Sequence, residues 1–272
     1  MLDSKELERI NASAERLNHS NIKVPTVFYH YTSIKAAMAI LRSAKFKLSH
    51  PDSFNDPYDL DTSVIDFNCD AEIFMNHLAQ LGVHNPLKDT PPNSELKKYM
   101  INASSVAFLE NEVKRVRGGY RVGCFSKEYN NTLMWSHYAK SHSGVCIGFE
   151  YNAFNPECFV YPVKYLWKKE SCNLFDSEIQ PVFFVCYQKS RVWKYEREIR
   201  VVHFDTNLLT KGKVAFQKNS VLRLYFGLKT KPEDKKEVLS LLKKKKYTNV
   251  KIYDMIHNPK GYGFLKPQKI AY

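Results

Sequence analysis

The sequence predicts a single compact α+β domain of mixed strands that carries a helical insertion. The 272 residues are 44% hydrophobic and 14% aromatic, which is enough for a substantial core. Apolar strand-like runs alternate with short helical patterns, and neither internal repeats nor low-complexity linkers interrupt them. We therefore expect one domain over 24–272, preceded by a polar helix over 1–23 and containing a helical insertion at about 70–117.

Each further element follows from a local pattern. Ser33 or Thr32 is placed to cap a helix, and Gly144 to end one. The helix over 232–246 begins with acidic residues and ends with lysines, which suits its macrodipole, so its lysine run is interpreted as a helix end. The predicted helices are 34–43, 132–142 and 232–246, and the predicted strands are 24–31, 46–49, 120–126, 144–151, 159–167, 198–204, 221–228 and 250–256.

Charge and composition restrict the function. A net charge of +13 favours polyanionic partners, with nucleic acid first and an anionic membrane surface second. No apolar run approaches the roughly 20 residues of a bilayer span, and the N-terminus is too charged for a secretory signal. The six cysteines show no C-x-x-C spacing, which favours reduced thiols in a cytoplasmic protein without a structural zinc site.

Four segments could carry chemistry. They are Y-H-Y-T-S (29–33), S-F-N-D-P-Y-D (53–59), the stretch with C-F-S, M-W-S-H-Y-A and G-V-C-I-G-F (124–149), and W-K-Y-E-R-E-I-R (193–200). Walker loops, G-x-G-x-x-G, H-E-x-x-H and G-x-S-x-G do not occur in the sequence. The common phosphate-cradle and nucleophile-elbow mechanisms therefore have no support.

The glutamates of the last segment form a carboxylate pair. Glu196 and Glu198 are two residues apart at the start of an apolar strand, so they are expected on one strand face together with Arg200. One interpretation is a salt-bridge ladder on the surface. The other is a charged pair facing a cleft, where one glutamate acts on a substrate and the second either tunes the first or orients a nucleophile.

The first and third segments place a histidine and aromatic rings near helix ends. His30 lies where a strand leads into a helix N-terminus, a position that suits either a structural histidine or a nucleotide contact. Trp135 and Tyr138 are three residues apart and therefore lie on one helix face. They could be either core residues or a platform on which a ligand stacks. Asn55 belongs to a polar corner that an Asx-turn would explain. No histidine pair has metal-binding helical spacing, and no metal is predicted.

Taken together, the motifs resemble a known bacterial family. The order F-N-D-P-Y-D, C-F-S, M-W-x-x-Y-A, G-V-C-I-x-F and W-x-x-E-x-E-x-R is similar to a domain family of unknown function that is often met near anti-phage and abortive-infection genes. The tail L-x-L-x-F-G-L-K, a helix and V-K-I-Y also resembles that family. The resemblance covers roughly 27–265 without the insertion.

A more distant resemblance implies an activity. The strand–H-Y-T-S–helix opening, a strand–helix–strand middle and a late E-R-E are similar to ADP-ribosyltransferase folds. The resemblance implies that His30 holds the ribose of NAD and that Thr32 or Ser33 supplies the adjacent hydroxyl. It implies Glu198 as the catalytic glutamate and Glu196 as the accessory one.

The middle position departs from that pattern. Phe125 and Ser126 stand where those enzymes have a tyrosine or a serine motif, so Tyr31, Phe125 or Tyr138 could stack on nicotinamide. With candidates from the other segments, the residues predicted to bind NAD are His30, Tyr31, Thr32, Ser33, Asn55, Phe125, Ser126, Trp135 and Tyr138.

The leading hypothesis is an ADP-ribosyltransferase-like toxin or defence effector that uses NAD as substrate. Its acceptor would be nucleic acid or protein, and a neutralising partner protein is possible. The first alternative is a non-catalytic nucleic-acid-binding or regulatory module of a defence system. The second is a metal-dependent nuclease using Asp56, Asp59, Glu196 and Glu198, for which the sequence shows no evident paired lysine.

Overall fold

The computed structural model describes residues 8–9, 12, 25–69, 73, 76, 109–111, 113–115, 117–154, 158–175, 180–204 and 212–271. Apart from a few isolated positions, the predicted N-terminal helix over 1–23 and the predicted insertion at about 70–117 lie outside the described residues. Within the described residues the fold is α+β, with strands predominating, as the apolar patterning predicted.

An eight-stranded sheet forms the centre of the molecule. Numbered in chain order, the strands of the protein are β1 (Val27–Thr32), β2 (Lys45–Lys47), β3 (Ile65–Asp66), β4 (Tyr120–Ser126), β5 (Val145–Glu150), β6 (Phe159–Pro162), β7 (Lys164–Leu166), β8 (Cys172–Asn173), β9 (Gln188–Ser190), β10 (Glu198–Phe204), β11 (Lys213–Ala215), β12 (Val221–Phe226), β13 (Lys251–His257) and β14 (Phe264–Ile270). The order in the large sheet is β14-β13-β12-β5-β1-β4-β10-β6. Within this sheet β12 and β13 are parallel, and the other neighbours are antiparallel.

Three two-stranded sheets accompany the large sheet, and two of the predicted strands differ from the structure. The small sheets pair β2 with β11, β3 with β8, and β7 with β9. The predicted strand over 159–167 is divided at Val163, because β6 pairs with β10 while β7 turns away to β9. The predicted strand over 46–49 is shifted to β2, and Ser49 forms only an isolated bridge with Val122.

The described helices are α1 (Ile34–Ser43), α2 (Thr132–Tyr138), α3 (Pro181–Val185) and α4 (Pro232–Lys244), with short 3₁₀ segments at Pro51–Ser53, Thr62–Val64, Tyr151–Phe154, Arg191–Glu196 and Lys218–Ser220. The Oγ of Ser33 accepts from Ala36 N at 3.2 Å, so Ser33 is the cap of α1. Helix α1 packs against α4, which buries Leu41 and Leu242. No described helix is long and apolar enough to cross a bilayer.

Helix α2 is shorter than predicted. It ends at Tyr138 instead of 142, because Lys140, Ser141 and His142 adopt left-handed backbone conformations with φ of 52°, 52° and 68°. Gly144 lies beyond that turn. A Cβ there would come within 2.2 Å of the Thr32 carbonyl oxygen, so glycine permits a close backbone approach and does not cap the helix.

The core has an aromatic centre next to β1. Phe28, Phe125, Phe149 and Phe154 are buried with ring centroids 4.6 to 6.4 Å apart. Successive β1 residues alternate between this cluster and the opposite face of the sheet, where Trp135 of α2 packs. Both faces of β1 are therefore covered, which makes it a rigid support for residues at its end.

Candidate functional site

A cavity of about 720 Å³ opens where β1 and β4 separate. These strands pair at one register position, Tyr29 with Ser126, whereas β1 and β5 pair along their whole length. Beyond that position the end of β1, the start of α1, the middle of β4 and the tip of α2 enclose the space. Its volume lies in the range of about 300–1,000 Å³ that is common for small-ligand pockets.

Most of the predicted site residues border this cavity. Those that line it are His30, Tyr31, Thr32, Asn55, Phe125, Tyr138, Glu196 and Glu198. Ser33, Ser126 and Trp135 do not line it. Ser33 is used as the α1 cap, the Oγ of Ser126 donates to the Glu196 carbonyl at 2.6 Å, and Trp135 is wholly buried with its Nε1 donating to the Tyr129 carbonyl at 2.8 Å.

His30 reaches the cavity from the opposite face to Glu198. The strand register aligns Glu198 with Ser126 and Ser126 with Tyr29, so these three side chains lie on one face of the sheet. His30 follows Tyr29 in β1, so its side chain lies on the opposite face. The two side chains still border one cavity because it penetrates between the diverging strands. They therefore flank the opening from its two sides and do not stand next to each other on one face.

The protonation of His30 is defined by its surroundings. Its Nδ1 lies 3.2 Å from the Cys124 carbonyl oxygen, which can only accept, so Nδ1 carries the proton and Nε2 keeps a lone pair. Its ring packs edge-on against Phe46 at 4.7 Å. Burial lowers the pKa of His30 to about 4 although the Cys124 bond opposes this. At neutral pH His30 is an uncharged acceptor.

The floor of the cavity holds a buried network of alternating charges. The Nζ of Lys189 lies 2.6 Å from Glu196 Oε2, 2.9 Å from Glu198 Oε2 and 3.6 Å from Asp59 Oδ2. The Nε of Arg200 donates to Glu198 Oε1 at 2.8 Å, and its Nη2 donates to both oxygens of Asp59 at 2.8 and 2.6 Å. The side chains of all five are at most 7% exposed, so each charge depends on its partners.

This network separates the pKa values of the two glutamates. Burial alone would raise the pKa of Glu198, but the charges of Arg200 and Lys189 outweigh it and hold that pKa at about 2. Burial raises the pKa of Glu196, and the nearby positive charge of Lys189 offsets only part of this rise. Tyr138 donates to Glu196 Oε1 at 2.6 Å, and burial together with this bond raises the pKa of the phenol. Glu198 is therefore a permanent carboxylate at neutral pH.

The geometry corrects the prediction for the glutamate pair. Glu196 ends a 3₁₀ segment and Glu198 begins β10, and Arg197 between them turns the chain with a φ of 44°. They therefore do not share one strand face, and they form no surface ladder, since both are buried. The prediction that Arg200 lies on the same side as Glu198 is confirmed by their bond.

Sequence reasoning missed Lys189 and the role of Asp59. Nothing in the pattern around Lys189 marks it, although Glu196 and Glu198 follow it by seven and nine residues. Its third partner, Asp59, comes from a loop far along the chain. A signal was present in Arg200, a lone charge within an apolar strand. A buried arginine requires carboxylate partners, and Asp59 is one of them.

The acidic residues of the nuclease alternative are bonded to the protein itself. Asp59, Glu196 and Glu198 contact Lys189 or Arg200, and Asp56 accepts from Trp193 Nε1 at 2.7 Å and from Tyr58 N at 2.9 Å. The Asx-turn of that corner is thus formed by Asp56. Among the described residues no group of three or more His, Cys, Asp or Glu could hold a metal ion.

A known protein family matches only part of the chain. Residues 134–201 match a family model described as a protein of unknown function, DUF2971. The match runs from α2 into β10, so it includes Tyr138, Lys189 and both glutamates. No curated protein and no solved structure matches the chain.

Proposed function

We propose that the protein is an ADP-ribosyltransferase-like enzyme that cleaves NAD and transfers its ADP-ribose to nucleic acid or protein, as a toxin or defence effector. The observation that carries this proposal is the shared cavity: His30 and Glu198, which are far apart in the sequence, flank one opening of ligand size. A histidine, a glutamate and an aromatic ring around one pocket suit a nicotinamide riboside.

The charge of Glu198 suits the chemistry. Breaking the nicotinamide–ribose bond develops positive charge on the sugar, as in glycoside cleavage. In NAD the positive charge lies on the nicotinamide ring, and it passes to the sugar as neutral nicotinamide leaves. A fixed carboxylate beside the sugar therefore stabilises the transition state more than the ground state, and only such a difference accelerates the step. With a pKa held at about 2, Glu198 keeps its charge over the whole physiological range.

The other groups have separate roles. The Nε2 lone pair of His30 can accept a hydrogen bond from a ribose hydroxyl, which needs the neutral imidazole described above. Of the three aromatic candidates for stacking on nicotinamide, Phe125 and Tyr31 are buried, while Tyr138 is partly exposed at the cavity. We assign the stacking role to Tyr138.

The two carboxylates differ in their capacity for a new ligand. Glu198 accepts from Arg200, Lys189 and the Cys124 thiol, so a ribose hydroxyl would replace the thiol, the weakest of these donors. Glu196 accepts from Tyr138 and Lys189, which leaves about two of its four acceptor sites. We assign Glu196 to orienting the acceptor nucleophile.

The test is nicotinamide release from NAD, with and without RNA, DNA or cell extract, for wild type and for Glu198→Gln and Glu196→Gln. Glu128→Gln is the matched control, because Glu128 is near the site but pairs with the exposed Arg197 outside the cavity. We expect release by wild type and by Glu128→Gln, and loss of release in Glu198→Gln. The additive that raises the rate identifies the acceptor.

Absence of release in every mixture, with the wild type shown to be folded, would contradict the proposal. Direct titration of NAD separates loss of chemistry from loss of binding, because Glu198→Gln should still bind NAD. The nuclease alternative has less support, since Lys189 and Arg200 occupy the carboxylates that would hold the metal.

A further inference from the structure

A second, smaller cavity of about 220 Å³ has aromatic rings at its mouth. Tyr58 and Trp167 border it and are 71% and 76% exposed, while most other large aromatic side chains of the described residues are buried. Leu60 and Val185 supply an apolar floor, and Lys189 borders both this cavity and the larger one. Exposed rings around a concave apolar surface are typical of a binding site.

Cations lie next to both rings. The Nζ of Lys169 is 5.5 Å from the centroid of the Tyr58 ring, and the Cζ of Arg191 is 5.2 Å from that of Trp167. Lys169 also pairs with Asp61, which lines the cavity and accepts a hydrogen bond from the lysine ammonium group. The mouth therefore combines two flat stacking surfaces with two cations, one of which, Lys169, is already paired with Asp61.

We propose that this mouth binds a base of single-stranded nucleic acid, with a neighbouring phosphate on Arg191. Successive aromatic platforms beside cations are the chemistry that single strands require, because unpaired bases can stack and their phosphates need neutralisation. The cavity is smaller than the pockets of about 300–1,000 Å³ that enclose whole ligands, so it suits one ring. The net charge of +13 favours the same partner.

This inference goes beyond the proposed function, since the strand binds whether or not NAD is cleaved. The probe is a fluorescently labelled single-stranded oligonucleotide of about 12 nucleotides, as RNA and as DNA, titrated at two salt concentrations. We expect Trp167→Ala and Tyr58→Ala each to weaken binding roughly 5- to 150-fold, the range of one stacking contact. Trp167→Phe keeps a ring and should retain most of the affinity.

Two further variants separate stacking from charge. Tyr262→Ala is the matched control, because Tyr262 is an exposed aromatic at the turn between β13 and β14, away from this cavity. It should bind like wild type. Arg191→Gln should weaken binding and reduce its salt dependence, since it removes a phosphate contact.

Three outcomes would overturn the inference. In the first, Trp167→Ala binds the oligonucleotide as tightly as wild type. In the second, a duplex of the same sequence binds as tightly as the single strand. In the third, poly-glutamate displaces the strand at equal charge concentration. The last two would assign the affinity to a general basic surface or to acidic protein partners. Far-UV spectra of each variant confirm that the exposed substitutions leave the fold intact.

Discussion

Removing Arg200 should destabilise the protein strongly, because its charge neutralises two buried carboxylates. Arg200→Met keeps most of the side-chain length and removes the guanidinium. Asp59 then loses its two hydrogen bonds from Arg200 at 2.8 and 2.6 Å, and Lys189 remains as the one cation near both Asp59, at 3.6 Å, and Glu198, at 2.9 Å. The Cys186 carbonyl also loses its donor, Arg200 Nη1, at 2.7 Å.

The magnitude follows from the burial of these groups. Arg200 is wholly buried, with Asp59 and Glu198 at 1% and 2% side-chain exposure, so water cannot replace the lost charge. Removing one partner of such a buried pair costs about 3–5 kcal/mol. That is a large part of the roughly 5–15 kcal/mol by which domains are stable.

Urea unfolding followed by circular dichroism measures the loss. The matched control is Arg197→Gln, since Arg197 pairs with Glu128 at 2.7 Å but is 61% exposed, and its loss should cost less than about 1 kcal/mol. If Arg200→Met lowered the free energy of unfolding by no more than Arg197→Gln does, the reasoning would be refuted. The difference in stability between Arg200→Met and wild type should narrow as the pH falls from 4.5 towards 2, because the wild type then loses the stabilisation of the ionised Glu198, whose pKa Arg200 and Lys189 hold at about 2.

Three further outcomes are expected. Because the pKa of His30 is lowered to about 4 from 6.5, the folded state resists its protonation, so stability should fall as pH drops from 6.5 to 4, and His30→Gln should flatten that slope in denaturant melts. Tyr138→Phe leaves Glu196 without a donor at Oε1 and should cost about 1–3 kcal/mol by the same unfolding assay. Gly144→Ala should cost about 1–3 kcal/mol or more, measured as a lowered Tm, because its Cβ would lie 2.2 Å from the Thr32 carbonyl.

Each of these expectations has a contrary result. An unchanged pH slope in His30→Gln would mean that another group controls acid stability. A Tyr138→Phe variant as stable as wild type would show that Glu196 is satisfied by Lys189 alone. A Gly144→Ala variant with an unchanged Tm would mean that the turn after α2 can move.

Local signals in the sequence predicted most of the large sheet. Strand β10 is rich in β-branched apolar residues, and α4 has charged ends and an apolar face, so composition, periodicity and end charges suffice to predict both elements. Strand β14 was not predicted, because Phe264–Ile270 contains two lysines and a proline, a composition that suits an edge strand. Small sheets such as β7–β9 depend on tertiary contacts that no local pattern specifies.

The candidate site was predictable where its residues are marked by their neighbours. His30 stands at a strand end and Glu196 and Glu198 close to a strand start, so motif order found them. The cation that joins the glutamates, Lys189, and the turn at Arg197 could not be predicted. Lys189 is only seven and nine residues before the two glutamates, but a 3₁₀ segment and a left-handed residue bring them together, and these leave no periodic trace.

The shared cations also constrain how this sequence can diverge. Arg200 bonds Asp59 across 141 positions of sequence, and Lys189 is held by the same carboxylate. Loss of Arg200 leaves three buried carboxylates with Lys189 as the only cation of the network, and loss of Asp59 leaves Arg200 Nη2 without the carboxylate that accepts its hydrogen bonds. Relatives should therefore alter the loop that carries Asp59 and the start of β10 in concert, so that paired substitutions across this distance become the evolutionary signature of the network.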